Sequence, residues 1–215
     1  MQFEDELNQV LPAHLPQREV VVRRAAEHLE LIVEANQYLN LTRITSPREA
    51  AIKHVLDSVV PWRLFAGARH VLDAGTGAGF PGIPLALVLP ETRFTLAESI
   101  QKKARFVDSV LAKLELPNVT VVPRRAEEIW RDCAVDVITA RALAPISRTL
   151  GLFAPALKAG RKILLYKGPD AELEIAESAK EAAKLRAALQ VVMRYDLPDS
   201  TGSRTIIEVT ARRNS

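Results

Sequence analysis

The sequence predicts an α/β fold, a mostly parallel sheet of seven strands covered by helices on both faces and preceded by further helices. Three observations predict it. From His70 onward, short apolar runs alternate with longer runs of helical periodicity, as in strands joined by crossover helices. A glycine-rich turn, DAGTGAGFPG, follows the first of these runs, where an open α/β sheet forms its ligand crevice. Two apolar runs near the C-terminus, VVMRYDL and TIIEVTA, have no helical stretch between them, which adds an antiparallel hairpin to the parallel sheet.

The elements follow in order. From Gln17 to Leu39 the residues Val22, Ala25, Ala26, Leu29, Ile32 and Val33 recur at helical spacing opposite Arg23, Glu27, Glu30 and Glu34, an amphipathic helix. After the loop NLTRIT, Ser46-Pro47-Arg48-Glu49 combines a capping-box serine and glutamate with proline at the first helical position. The helix that starts there buries Ile52, Val55, Leu56 and Val59, and Pro61 ends or kinks it. Strand and helix then alternate: HVLDA and PGIPLALVL, RFTLAE and a helix from Gln101 to Leu114, VTVVP, VDVITA and a helix from Ile146 to Leu157, KILLYK and a helix from Ala171 to Leu189. In the last of these, Asp170, Glu172 and Glu174 at the start and Lys184 and Arg186 at the end complement the helix dipole. Residues 1–66 therefore read as a helical extension and 67–215 as the sheet domain, the two forming one compact unit.

Composition narrows the class. A chain of 215 residues that is 48% hydrophobic supports one domain with a sizeable core. The acidic start MQFEDELNQV is unlike a signal peptide, and no apolar run reaches the roughly 18 residues of a membrane span, so a soluble cytoplasmic protein with no membrane partner is expected. A single cysteine, Cys133, rules out an internal disulfide, and four scattered histidines offer no metal spacing. No metal is expected. The chain carries a net charge of +3 and a pI of about 9.1, with residues 1–60 net acidic and the remainder net basic. That basic remainder suits a polyanion such as nucleic acid, or serves solubility alone.

The glycine turn carries two overlapping fingerprints. Gly77, Gly79 and Gly82 spell the dinucleotide pattern G-x-G-x-x-G; Asp73, Gly75, Gly77 and Gly79 spell the D-x-G-x-G-x-G of S-adenosylmethionine enzymes. Charge separates them, because a dinucleotide presents an anionic pyrophosphate to the helix N-terminus, whereas S-adenosylmethionine presents an ammonium and a sulfonium cation. Asp73, at the end of the first strand, favours the second. It either holds the methionine ammonium or a water, or caps the loop. Glu98 ends the second strand, where a carboxylate accepts from ribose hydroxyls in either class. Ala126-Glu127, after the third strand, either lies beside an adenine ring or simply starts a helix. With the terminal hairpin, the balance falls to a Rossmann-like class I S-adenosylmethionine-dependent methyltransferase rather than a dehydrogenase.

At this resolution of detail the chain resembles the bacterial glucose-inhibited division protein B family, the small-subunit ribosomal RNA guanine-N7 methyltransferases. The resemblance runs from about Asn40 to Val209 and rests on Asn40-Leu41-Thr42, His54-x-x-Asp57-Ser58, the run Asp73 to Pro84, Lys102-Lys103 with Phe106, Arg141-Ala142 and Lys167-Gly168. It implies S-adenosylmethionine as cofactor, with contacts from Gly75, Phe80, Glu98, Ser99, Ala126, Glu127 and Arg141, to which the loop reading adds Asp73 and Gly77. It implies 16S ribosomal RNA or the small ribosomal subunit as partner. A monomer is expected. Lys53 stands where an arginine is usual and Arg204 where histidine is frequent.

Guanine N7 carries an in-plane lone pair and no proton, so it attacks a sulfonium methyl without a general base. Catalysis then reduces to alignment in a dry, shaped site. In keeping with this, no Asn/Asp-Pro-Pro-Tyr sequence for an exocyclic amine follows the fourth strand, and Cys133 lies before that strand, as a small filler residue. Arg141, at the carboxyl end of the fourth strand, is expected to touch the target base or its phosphate, or to pair with an acidic neighbour such as Glu127. Lys167, past the fifth strand, is a second candidate at that face, or a solvated lysine. His54, Asp57 and Ser58 do not form a triad, because positions i, i+3 and i+4 of one helix do not converge as a triad does. Their helix instead packs across the cofactor mouth, its polar face meeting RNA or organising the Asn40 loop. Lys53, His54, Lys102, Lys103, Arg124, Arg125 and Arg204 are the candidate RNA contacts. A methyltransferase for a small molecule or a protein, and a nucleotide-binding regulator without catalysis, are the alternatives that the fold permits.

Overall fold

The computed structural model describes residues 2–212. Helices α1 (Gln2–Val10), α2 (Arg18–Ala35), α3 (Pro47–Ala50) and α4 (Asp57–Val59) precede the sheet. Five strands follow with a helix after each: β1 (His70–Ala74), α5 (Gly82–Val88), β2 (Arg93–Ala97), α6 (Gln101–Lys113), β3 (Val119–Val122), α7 (Ala126–Ile129), β4 (Val137–Arg141), α8 (Ile146–Leu152), α9 (Ala154–Lys158), β5 (Lys162–Lys167) and α10 (Ala171–Lys184). The chain closes with β6 (Ala187–Leu197) and β7 (Gly202–Ala211). The strand order is β3-β2-β1-β4-β5-β7-β6, parallel through β5, with β7 antiparallel to β5 and β6 antiparallel to β7. Strand order reverses between β1 and β4, the place where a doubly wound sheet leaves a crevice at its carboxyl edge.

Period-two alternation in the strands divides the core into two layers. Val71, Leu164 and Ile206 belong to one layer and Leu72, Leu165 and Ile207 to the other. The first layer takes in Leu29 and Ile32 of α2 and Ile52 and Val55 of the next helical stretch, so the N-terminal helices share a continuous core with the sheet. Each such fully buried Leu or Ile contributes about 1.5–3 kcal/mol. Among the described residues, no helix is long and apolar enough to cross a membrane.

Several expectations are corrected. Helix α10 ends at Lys184, not Leu189: Arg186 adopts a left-handed φ of 51°, and Ala187, Ala188 and Leu189 pair with Ala211, Thr210 and Val209. Ladder bonds to β7 override a helix-compatible sequence. The helix expected from Ile146 to Leu157 breaks at Phe153, since Pro155 has no N–H to continue the ladder. In α2 the expected stripe holds at Val22, Ala25, Ala26, Leu29 and Ile32, but Val21 is fully buried as well and Val33 is 38% exposed. Ser46 is the N-cap of α3 with Pro47 at its start, but its side chain makes no cap bond, and Glu49 pairs with Lys53 rather than completing a box. Between α3 and α4 the chain widens into a π-helical stretch, Ala51–Leu56, a form concentrated at functional sites.

Candidate active site

The glycine turn is built from beneath. Asp73, the last residue but one of β1, is fully buried, and its Oδ2 accepts from Thr76 Oγ1 at 2.7 Å and from the Gly82 N–H at 2.9 Å. Burial pushes this carboxyl up to about 6, against the pull of those two hydrogen bonds. Asp73 thus caps the loop from inside, and its Oδ1 is buried with no hydrogen-bond partner among the described residues. Gly82 must be glycine for the same reason: a Cβ there would lie 2.2 Å from Leu96 Cδ2 and 2.8 Å from Asp73 Oδ2. Gly75 and Gly77 have φ of 72° and 62°, a region that L side chains rarely adopt. A Cβ on Gly77 would meet nothing within 4 Å. Glu98 continues from β2 to this open place, its carboxylate accepting from the Gly77 N–H at 3.1 Å and the Ile100 N–H at 2.8 Å.

Two buried histidines hold the outer half of the turn. His28 of α2 lies 2.7 Å from the Ala78 carbonyl through Nε2, which therefore carries the proton, and its ring stacks on Phe80 at 4.8 Å. Burial lowers its pKa to about 4. His54 stacks on the same Phe80 at 4.6 Å and meets Thr42 Oγ1 at 3.1 Å. Burial, then the nearby Arg141 charge, lower it to about 3. Both rings are neutral near pH 7, so neither supplies a cation to RNA.

Beyond Phe80 opens a groove of about 620 Å³ at the carboxyl ends of β4 and β5, with Lys53, Asp57, Arg141, Lys167, Glu174 and Arg204 among its lining. Arg141 joins loop and groove. Its guanidinium carbon lies 5.4 Å from the Phe80 ring centroid, while Nη1 donates to the Lys53 carbonyl at 2.9 Å and to Asp57 Oδ2 at 3.1 Å. The π-helical stretch makes the first of these possible: the Asp57 N–H bonds back to Ile52, rather than to Lys53 as in an α-helix. Asp57, 2% exposed, also takes the Tyr195 hydroxyl at 2.9 Å and Arg204 Nε at 3.3 Å. Lys167 donates to Glu174 at 2.7 Å and to the Ala144 carbonyl at 2.9 Å. The same Glu174 carboxylate accepts from the Ile146 N–H at 3.0 Å, capping α8.

The structure thus gathers Asp73, Gly75, Gly77, Phe80, Glu98 and, through Phe80, Arg141 around one turn. Ser99 is exposed beside Glu98, and Ala126 and Glu127 begin α7 after β3. The acidic partner of Arg141 is Asp57, not Glu127, whose own contact is with Arg125 at 3.9 Å; the N-terminal helical stretch reaches Arg141 first. Lys167 is not a solvated lysine, its side chain being 10% exposed. Of the expected RNA contacts, Lys53, His54 and Arg204 line the groove, but the His54 ring is buried, neutral, and bound to the loop after Asn40. That loop is organised by Asn36, whose side chain accepts from Leu41 and Thr42 N–H and donates to the Thr42 carbonyl. Lys102, Lys103, Arg124 and Arg125 lie away from the groove on α6 and before α7, Arg124 bridging Glu128 and Asp132. Sequence reasoning missed His28, Tyr195 and Glu174. His28 alone had a signal, lying among the buried positions of α2.

A family model described as rRNA small subunit methyltransferase G matches residues 22–200. The chain belongs to that family. A ribosomal RNA small subunit methyltransferase G from Solibacter usitatus is 66% identical over 97% of this chain and 100% of the relative. One from Leuconostoc citreum is 35% identical over 87% of this chain and 81% of the relative. Among solved structures, the fold resembles an O-methyltransferase from Bacillus cereus in complex with S-adenosylhomocysteine (TM-score 0.59, 21% identity, 86% of this chain and 90% of that one). It also resembles an O-methyltransferase of tomaymycin synthesis from Streptomyces achromogenes in complex with S-adenosylmethionine (TM-score 0.57, 18% identity, 87% and 90%). The expected Rossmann-like class I methyltransferase fold, with its antiparallel closing strands, is the fold this family member has.

Proposed function

We propose that this protein transfers the methyl group of S-adenosylmethionine to N7 of a guanine in 16S ribosomal RNA, by in-line attack without a general base, in the bacterial cytoplasm. The observation that carries the reading is the placement of Arg141 between the Phe80 ring of the glycine turn and the groove beyond it. Family membership and the names of the two relatives support small-subunit RNA as substrate.

The residues fit the cofactor. Space above Gly77 is open, and the Glu98 carboxylate ends there. Buried Asp73 and Glu98 make the turn acidic, which suits the cationic end of S-adenosylmethionine and opposes a pyrophosphate. Gly75, Gly77, Glu98, Ser99, Ala126 and Glu127 hold the cofactor, whose sulfonium supplies an electrophilic methyl group. Arg141 and Lys167 position the nucleotide. With His28 and His54 neutral and already hydrogen-bonded, no side chain is needed to take a proton, because guanine N7 has none to give. Rate enhancement comes from alignment and water exclusion.

The test incubates the protein with methyl-labelled S-adenosylmethionine and, separately, naked 16S RNA, assembled small subunits and whole ribosomes, followed by nucleoside mapping. Label in a single N7-methylguanosine is expected. Label on an exocyclic amine or a pyrimidine carbon overturns the mechanism, and no label in any RNA overturns the substrate.

A further inference from the structure

We infer that Asp57 is a positioning residue that gathers Arg141 and Arg204 into one paired guanidinium clamp, which takes a single phosphodiester of the substrate strand at the wall of the groove. The inference rests on the RNA-methyltransferase reading and deepens it. Asp57 receives donors from three separate strands: Arg141 of β4, Tyr195 of β6 and Arg204 of β7. Its Oδ2 accepts from Arg141 Nη1 at 3.1 Å, and Arg204 Nε sits 3.3 Å from Oδ1 and 3.4 Å from Oδ2. Tyr195 closes the remaining side, its hydroxyl 2.9 Å from Oδ1 and 3.1 Å from the Asp57 carbonyl.

Two guanidinium groups held against one carboxylate leave one net positive charge, which matches one phosphodiester. Neither arginine is used up. Among the described residues, Arg141 donates only through Nη1, and Arg204 through Nε and, to the Ser203 carbonyl, Nη1. Nη2 of each keeps its protons for a ligand. The side chains are 17% and 20% exposed, and both line the groove. An arginine fixed in this way loses less conformational freedom on binding phosphate than a free one does, while Asp57 offsets the repulsion between the two cations. A second groove of about 340 Å³, lined by Tyr195, Ser203 and Arg204 among others, shares Arg204 with the first. Arg204 thus stands in a wall common to both grooves.

The experiment compares wild-type protein, Asp57→Asn, Arg204→Ala and the double variant, measuring kcat and KM for the RNA substrate, its salt dependence and S-adenosylhomocysteine affinity. Asp57→Asn keeps the side-chain shape and one acceptor oxygen. Expected are S-adenosylhomocysteine affinity within threefold of wild type for every variant, an RNA KM raised about tenfold or more in each single variant, and a double variant no worse than the poorer single one. Arg204→Ala should also lower the slope of log affinity against log salt by about one phosphate contact. An unchanged RNA KM in folded Asp57→Asn, or fully additive losses, overturns the clamp. Should Asp57→Asn fail to fold, Arg204→Ala decides alone: KM and salt slope equal to wild type overturn the inference. Wild-type protein that methylates no RNA overturns the functional reading instead, before any variant is compared.

Discussion

The two halves of the site are made in different ways. The glycine turn is built around neighbours in sequence: Asp73, Thr76 and Gly82 bond one another within ten positions, and Ala97, Glu98, His28 and His54 reach it from elsewhere. The groove is assembled from distant parts of the chain, Asp57 meeting residues 84, 138 and 147 positions away. A ligand held by backbone and strand ends asks for a local motif. A polyanion held by long cationic side chains asks for partners that keep those chains in place, and these are supplied by whichever elements pack alongside.

That contrast is open to direct attack. Arg141→Ala touches both halves and should lower methyl transfer about 10²–10³-fold, the cost of removing one placed donor, while S-adenosylhomocysteine still raises the melting temperature. Turnover within tenfold of wild type would show that Arg141 serves packing only. Gly82→Ala strikes the local half alone. Its Cβ meets Leu96 and Asp73, so it should cost about 1–3 kcal/mol of stability in urea denaturation and weaken S-adenosylhomocysteine binding. A variant as stable as wild type would mean that the turn has room to shift.

A third approach uses pH. Folded His28 titrates near 4 rather than 6.5, so across that interval the folded state binds fewer protons than the unfolded chain, and stability falls as pH drops from 6.5 towards 4. His54, near 3, acts in the same direction. Asp73, near 6 rather than 3.8, acts oppositely, its contribution being present below 3.8 and lost as pH rises through 6. His28→Gln retains a donor for Ala78 and should remove about 2 kcal/mol of the loss between pH 7 and pH 5, read as a flatter profile of denaturation midpoint against pH. An unchanged profile would place the acid sensitivity elsewhere. At the small end, Glu49→Ala, which breaks a half-exposed i,i+4 pair with Lys53, should change stability by less than about 0.5 kcal/mol. A larger loss would show that Lys53 is held for the groove.

Much of this was readable along the chain. The bounds of β1 and β5 coincide with the apolar runs HVLDA and KILLYK, and the closing hairpin was evident from two strands without a helix between them. The end of α10 was not, because Ala187 to Leu189 suit a helix and only the facing strand β7 claims them. The turn at Asp73 was found with its glycines, though the caps-the-loop reading of Asp73, rather than a place on the open surface, needed its burial to be seen. His54 and Asp57 were legible as a helical pair, and Phe80, Arg141 and Arg204 as site candidates, yet nothing along the chain says that they meet, and Tyr195 carries no mark at all.

By itself, then, the sequence determined the strand and helix alternation, the glycine turn and the carboxylates Asp73 and Glu98 at the ends of the first two strands, since periodicity and backbone conformation are local properties. Tertiary structure alone decided which acid Arg141 meets, that Lys167 is paired, and that His54 is buried and neutral. Those depend on how near two elements lie across the sheet, and desolvation and Coulomb attraction act through space rather than along the chain.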